Sequence, residues 1–141
     1  MAQENIATLR RFYRSWSDRD LDGVLELVAQ DIEIDWSESH APFGGVYKGH
    51  RGLMQFWRNQ TEAWESFRVE VTEAIECGPD CLVAVTRVRG RGRGSGITVE
   101  AGGAGLWRLQ NGALASVKLF QDKDDALKAA GLSKRDAHVG S

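Results

Sequence analysis

Cysteine is almost missing from this chain: Cys77 and Cys81 are the only two in 141 residues. Two thiols cannot alone complete a four-ligand zinc site. They flank Gly78-Pro79-Asp80, and a reducing cytosol disfavours bridging them. The expectation is two small residues at a hairpin, with a disulfide or redox pair as the alternative. Long apolar runs are missing as well. No stretch approaches the roughly 20 apolar residues that a membrane-spanning helix needs. The opening Met-Ala-Gln-Glu-Asn lacks the basic and apolar regions of a secretory signal, so a cytoplasmic location is expected. Nor is there surplus positive charge. Eighteen Lys and Arg against twenty Asp and Glu leave a formal charge of −2, which argues against a general nucleic-acid binder.

What is present is patterned. Ile6, Leu9, Phe12, Tyr13 and Trp16 recur at helical spacing. Asp20 is placed to cap a second helix whose buried stripe is Leu21, Val24, Leu25 and Val28. Ile32, Ile34 and Trp36 then alternate with Glu33 and Asp35, the period of a strand with one wet face. After a loop containing Pro42, Gly44 and Gly45, with a short extended piece at Val46-Tyr47-Lys48, the residues Leu53, Phe56, Trp57, Gln60 and Trp64 mark a third helix. Four strand-like segments follow, separated by turns at Gly78-Pro79-Asp80, Gly94-Ser95-Gly96 and Asn111-Gly112. Asp122 caps a last short helix that ends before Gly131. Helices first and a meander of strands after predict a single α+β domain over residues 1–132, with 133–141 a polar, mobile tail.

Asp20-Leu21-Asp22-Gly23, Asp31-Ile32-Glu33-Ile34, Gly45-Val46-Tyr47-Lys48-Gly49, Gly94-Ser95-Gly96, the run from Trp107 to Gly112 and the closing run from Ala126 to Leu132 occur in an order that resembles the nuclear-transport-factor-2-like superfamily. The similarity is to its SnoaL-like (polyketide cyclase-like) group and covers nearly the whole chain. It implies a cone-shaped α+β barrel, three N-terminal helices packed on a strongly bent antiparallel sheet, a ligand-sized cavity and a homodimer. It does not imply an activity, since the superfamily holds isomerases, hydrolases, cyclases and binding modules. Carried over position by position, the ketosteroid isomerase tyrosine, base and protonated acid would fall at Phe12, Trp36 and near Gly105. None is matched. The limonene epoxide hydrolase arginine matches Arg87, but its two aspartates fall at Arg89 and Leu119. The cyclase aspartate falls near Leu119 or Gln121.

The same alignment predicts that Phe12, Ile34, Trp36, Arg87, Arg89, Gly105, Trp107, Leu119 and Gln121 look into the cone, joined by Tyr13, Trp16 and Trp57 from helices. Leu82, Ala84, Val88 and Leu106 would then cover the outer face, an apolar patch suited to a dimer interface. Two inward arginines in an apolar cavity need an anion or a protein carboxylate beside them. Arg87 is therefore expected to grip an anionic group. Arg89 is expected at the rim or paired with an acid such as Glu38. Arg91 and Arg93 read as solvated residues at a hairpin end. His40, two residues after Glu38, is the best-placed candidate base, with Tyr13 as a second catalytic candidate. The expected ligand-binding residues are thus Trp16, Trp36, Trp57, Arg87, Arg89, Trp107, Leu119 and Gln121, with no metal and no cofactor. Two functions follow. One is a binding module for a small apolar, anionic molecule. The other is an isomerase, cyclase or hydrolase with a non-standard site.

Overall fold

The computed structural model describes residues 2–38 and 44–132. The elements run α1 (Ala2–Ser17), α2 (Leu21–Leu27), β1 (Val28–Asp35), β2 (Val46–Lys48), α3 (Gly49–Ala63), β3 (Trp64–Gly78), β4 (Cys81–Gly92), β5 (Thr98–Gln110), β6 (Ala113–Phe120) and α4 (Lys123–Ala129). The two caps form as their residues predict. The Asp20 carboxylate accepts from the Gly23 N–H at 3.0 Å, and that of Asp122 accepts from the Asp125 N–H at 2.8 Å. Asn111 and Gly112, both in the left-handed region, turn β5 into β6. Trp64 departs from its expected place in the α3 stripe. Its backbone is extended and it opens β3 instead. There its ring lies on Gly90, where an added Cβ would approach a ring carbon to 2.8 Å. The bareness of Gly90 is thus a seat for an aromatic ring.

The strands form one six-stranded sheet in the order β2-β1-β6-β5-β4-β3. It is an α+β cone, but the sheet is mixed rather than wholly antiparallel. β1 runs parallel to β6, while every other neighbouring pair is antiparallel. It is also not closed, because β2 and β3 remain as edges. A 15-residue edge strand offers unpaired amides and carbonyls to other chains. Here α1 and the turn after it cover them. Ser17 Oγ accepts from the Val69 N–H, Arg10 donates to the Val71 carbonyl, and Arg19 donates to the carbonyls of Trp64 and Glu65.

Each face of the sheet is covered by different helices. On the inner face, Leu82, Ala84, Trp107, Leu109, Leu114 and Val117 join Leu9, Phe12, Tyr13 and Trp16 of α1, with Leu53 and Phe56 of α3. On the outer face, Ile75, Cys81, Val83, Ala104 and Leu106 pack under Ala126 and Leu127 of α4. The first half of β4 is therefore apolar on both sides. This settles its orientation, and it corrects the expectation. Leu82 and Ala84 point inward, so Val83, Val85, Arg87 and Arg89 point outward by alternation, without a register break against β5. No helix among the described residues is long and apolar enough to cross a membrane.

Cys77 and Cys81 form a disulfide across the β3–β4 turn, where the sequence favoured free thiols. Their Cα atoms lie 5.1 Å apart, within the range a bridge requires. The polar segment 133–141, expected as a tail, and His138 within it lie outside the described residues.

Candidate functional site

The inner face collects aromatic rings because each donor element contributes its buried stripe. Phe12, Tyr13 and Trp16 come from α1, Phe56 and Trp57 from α3, Trp107 from β5, Tyr47 from β2, and Trp36 follows β1. Eight rings form a continuous network. Trp16 stacks on Phe12 at 5.7 Å and meets Trp57 edge-on at 4.9 Å and Phe56 at 5.6 Å. Phe56 in turn meets Trp36 and Tyr47, each at 5.2 Å. At the other end Phe12, Tyr13 and Trp107 pack edge-to-face within 4.9–5.8 Å. Such contacts favour edge-to-face order beyond the area they bury. A cleft of about 10 Å³ lies beside the network at Trp16, Arg19, Trp57, Gln60, Thr61 and Phe67.

A polar contact between two of these rings lies at one end of the network. Trp107 Nε1 donates to the Tyr13 hydroxyl oxygen at 3.2 Å, and both residues are buried. The phenol O–H remains a donor, and no described residue accepts it. Burial pushes the Tyr13 ionisation far above its ordinary value near 10, and the bond from Trp107 offsets this only in part. Tyr13 therefore stays neutral and keeps its O–H throughout the physiological range. A raised folded-state pKa stabilises the fold below the unfolded value near 10, and that contribution is lost as pH rises past it. Phenolate absorbance during an alkaline titration should show Tyr13 ionising only together with loss of the folded circular dichroism. Ionisation of Tyr13 in a chain that is still folded would contradict its burial.

Trp16, Trp36, Trp57 and Trp107 are thus brought together, and Leu119 packs against the same cluster from β6. Gln121 lies beyond the end of β6 and is exposed. Arg87 and Arg89 are corrected. Their side chains are 66% and 69% exposed on the opposite face, where both pair with Glu100, at 3.7 and 3.2 Å. The predicted partner of Arg89, Glu38, instead pairs with Lys118. His40 lies outside the described residues. Asp35 faces away from the cone. The Ser37 hydroxyl, with smaller help from the Ser37 N–H and Lys118, holds its carboxyl below the usual range. Among the described residues, the buried polar side chains are Asn5, Gln60 and Thr86, with no carboxylate. Phe56, the hub of the network, was missed as a site residue. Its signal was its place three residues after Leu53 in the α3 stripe.

Gly105 explains why the inner face has no acid at that level. A Cβ there would lie 3.0 Å from Trp107 Nε1 and 3.2 Å from Val117 Cγ2, so the indole occupies the space of a side chain.

Residues 9–117 match the family model described as a SnoaL-like domain. Similar solved structures include TerC co-crystallised with polyporic acid, 21% identical, covering 91% of this chain and 98% of its own, with a TM-score of 0.74. Another is the Mycobacterium tuberculosis protein RV0760c in complex with estradiol-17beta-hemisuccinate, 21% identical over 86% of this chain and 95% of that one, with a TM-score of 0.72. A computationally designed 17-OHP binder is 21% identical over the same shares, with a TM-score of 0.71. At these identities the structures show a common fold and nothing finer. No curated protein matches the sequence. With more than half of its length matched by the family model, the chain belongs to the SnoaL-like family.

Proposed function

We propose that this protein binds a small, largely apolar, ring-containing molecule in the aromatic cone and holds it by a hydrogen bond from Tyr13. The observation that carries this reading is the Tyr13–Trp107 pair: a neutral buried donor with no acceptor among the described residues, set among rings. Buried polar groups are ordinarily satisfied, and an unmatched O–H in an apolar site suits a carbonyl, ether or hydroxyl oxygen of a guest. The anionic group expected from Arg87 loses its support, because both arginines lie outside the cone. General acid–base chemistry has little support inside it either, since no carboxylate of the described residues is buried there.

The cleft beside the rings is only about 10 Å³, so binding requires them to part. Trp57 is only half-buried at this cleft, and its swing away from Trp16 would open the cleft inward. Support for a small-molecule guest comes from TerC, co-crystallised with polyporic acid, from the mycobacterial complex with estradiol-17beta-hemisuccinate, and from the design of a 17-OHP binder, all of this fold.

Tryptophan fluorescence titrated with a neutral polycyclic ketone and with its deoxy analogue tests the proposal. Both should quench saturably. Tyr13→Phe should weaken the ketone by about two- to tenfold, as the loss of one ordinary hydrogen bond predicts, and leave the analogue unchanged. Failure of either compound to saturate would exclude the aromatic cone as a binding site. Equal losses for both would assign Tyr13 a packing role only.

A further inference from the structure

The Cys77–Cys81 disulfide spans only Gly78, Pro79 and Asp80. A bond closing so short a loop removes little chain entropy from the unfolded state, so it is weak as a staple. The hairpin around it has other fastenings. β3 and β4 are paired along their length. The Asp80 carbonyl accepts from the Leu109 N–H at 2.9 Å, and the Asp80 carboxylate accepts from Asn5 Nδ2 at 3.3 Å. Asp80 is a non-glycine residue at φ 59°, and the bridge limits its escape from that conformation. The two sulfurs differ in access, since Cys81 is 5% exposed and packs under α4, whereas Cys77 is half-buried at the end of β3. A pocket of about 300 Å³, lined by Asn5, Glu76, Pro79, Asp80 and Leu82 among others, opens beside the turn.

We propose that Cys77–Cys81 is a reversible thiol–disulfide exchange site for small thiols, and that opening it loosens the Asp80 turn and its pocket without unfolding the domain. A thiolate attacks the Cys77 sulfur, the bond to Cys81 breaks, and Cys81 leaves as a thiolate that takes a proton from water. A second thiol attacks the mixed disulfide. The small disulfide departs, Cys77 becomes a thiol, and two electrons have passed from the two small thiols to the protein. Oxidised small disulfide reverses the sequence. This site is independent of the aromatic cone and stands whether or not the cone binds a guest.

The test uses the intact chain in graded mixtures of reduced and oxidised glutathione, with acid quench, alkylation and mass analysis. Both cysteines should gain label together in one reversible transition, while far-ultraviolet dichroism stays native. Exchange of the Leu109 amide should be at least about tenfold faster in the reduced protein. Single variants separate the sulfurs. In Cys81→Ala the remaining Cys77 should form a mixed disulfide with oxidised glutathione at least about tenfold faster than Cys81 does in Cys77→Ala. Several results would overturn the proposal: reduction only in denaturant, loss of the fold on reduction, unchanged Leu109 exchange, or equal rates for the two sulfurs. Should either variant fail to fold, the wild-type amide and alkylation measurements decide alone.

Discussion

Trp107→Ala should lower the free energy of unfolding by about 3–5 kcal/mol, the range for deleting a large buried aromatic side chain. Trp107 is 1% exposed and packs edge-on against Phe12 and Tyr13, so the void has no solvent to fill it and rigid rings around it. The substitution also removes the donor to the Tyr13 hydroxyl. Denaturant titration at unchanged m reads the loss directly. A shift below about 1 kcal/mol would mean that neighbouring rings collapse into the space, and that the network is softer than its contacts indicate. A ring-shaped ligand that rescues the variant more than the wild type would place its site in the vacated volume.

Gly105→Ala should cost about 1–3 kcal/mol, the range for overpacking a filled core. Its added methyl meets Trp107 Nε1 and Val117 Cγ2 at 3.0 and 3.2 Å, and neither residue has surface to retreat to, at 1% and 4% exposure. The backbone of Gly105 needs no positive φ, so the penalty is contact rather than conformation. Thermal unfolding of the variant beside Gly102→Ala separates the two causes. Gly102 sits on the same strand, and a Cβ there meets only the Thr86 carbonyl oxygen, at 3.9 Å. Equal destabilisation of both would refer the effect to generic loss of glycine. A much larger loss at Gly105 supports the seating of Trp107.

Much of the fold was legible where the signal is local. The caps at Asp20 and Asp122, the Asn111-Gly112 turn and the alternation of Ile32, Ile34 and Trp36 each depend on neighbours a few residues away. The aromatic cluster was legible for the same reason, since Phe12, Tyr13 and Trp16 share one helical stripe. Arg87 and Arg89 were not. In β4 the odd residues Cys81, Val83 and Val85 and the even residues Leu82 and Ala84 are both apolar, so alternation shows that two faces exist without saying which is inner. Leu82 and Ala84, expected on an outer dimer-forming face, are buried in the inner core instead.

The sequence by itself therefore determined the elements, their caps and turns, the α+β class and the family, because backbone preferences and hydrophobic period act over short spans. Only the tertiary structure decided which face of β4 meets α1 and which meets α4, that β1 lies parallel to β6, and that Cys77 and Cys81 are bridged. Those facts depend on segments far apart in the chain, or on the distance between two Cα atoms. They also moved the candidate polar contact from an arginine pair to Tyr13 and Trp107, whose 94-residue separation no spacing rule could join.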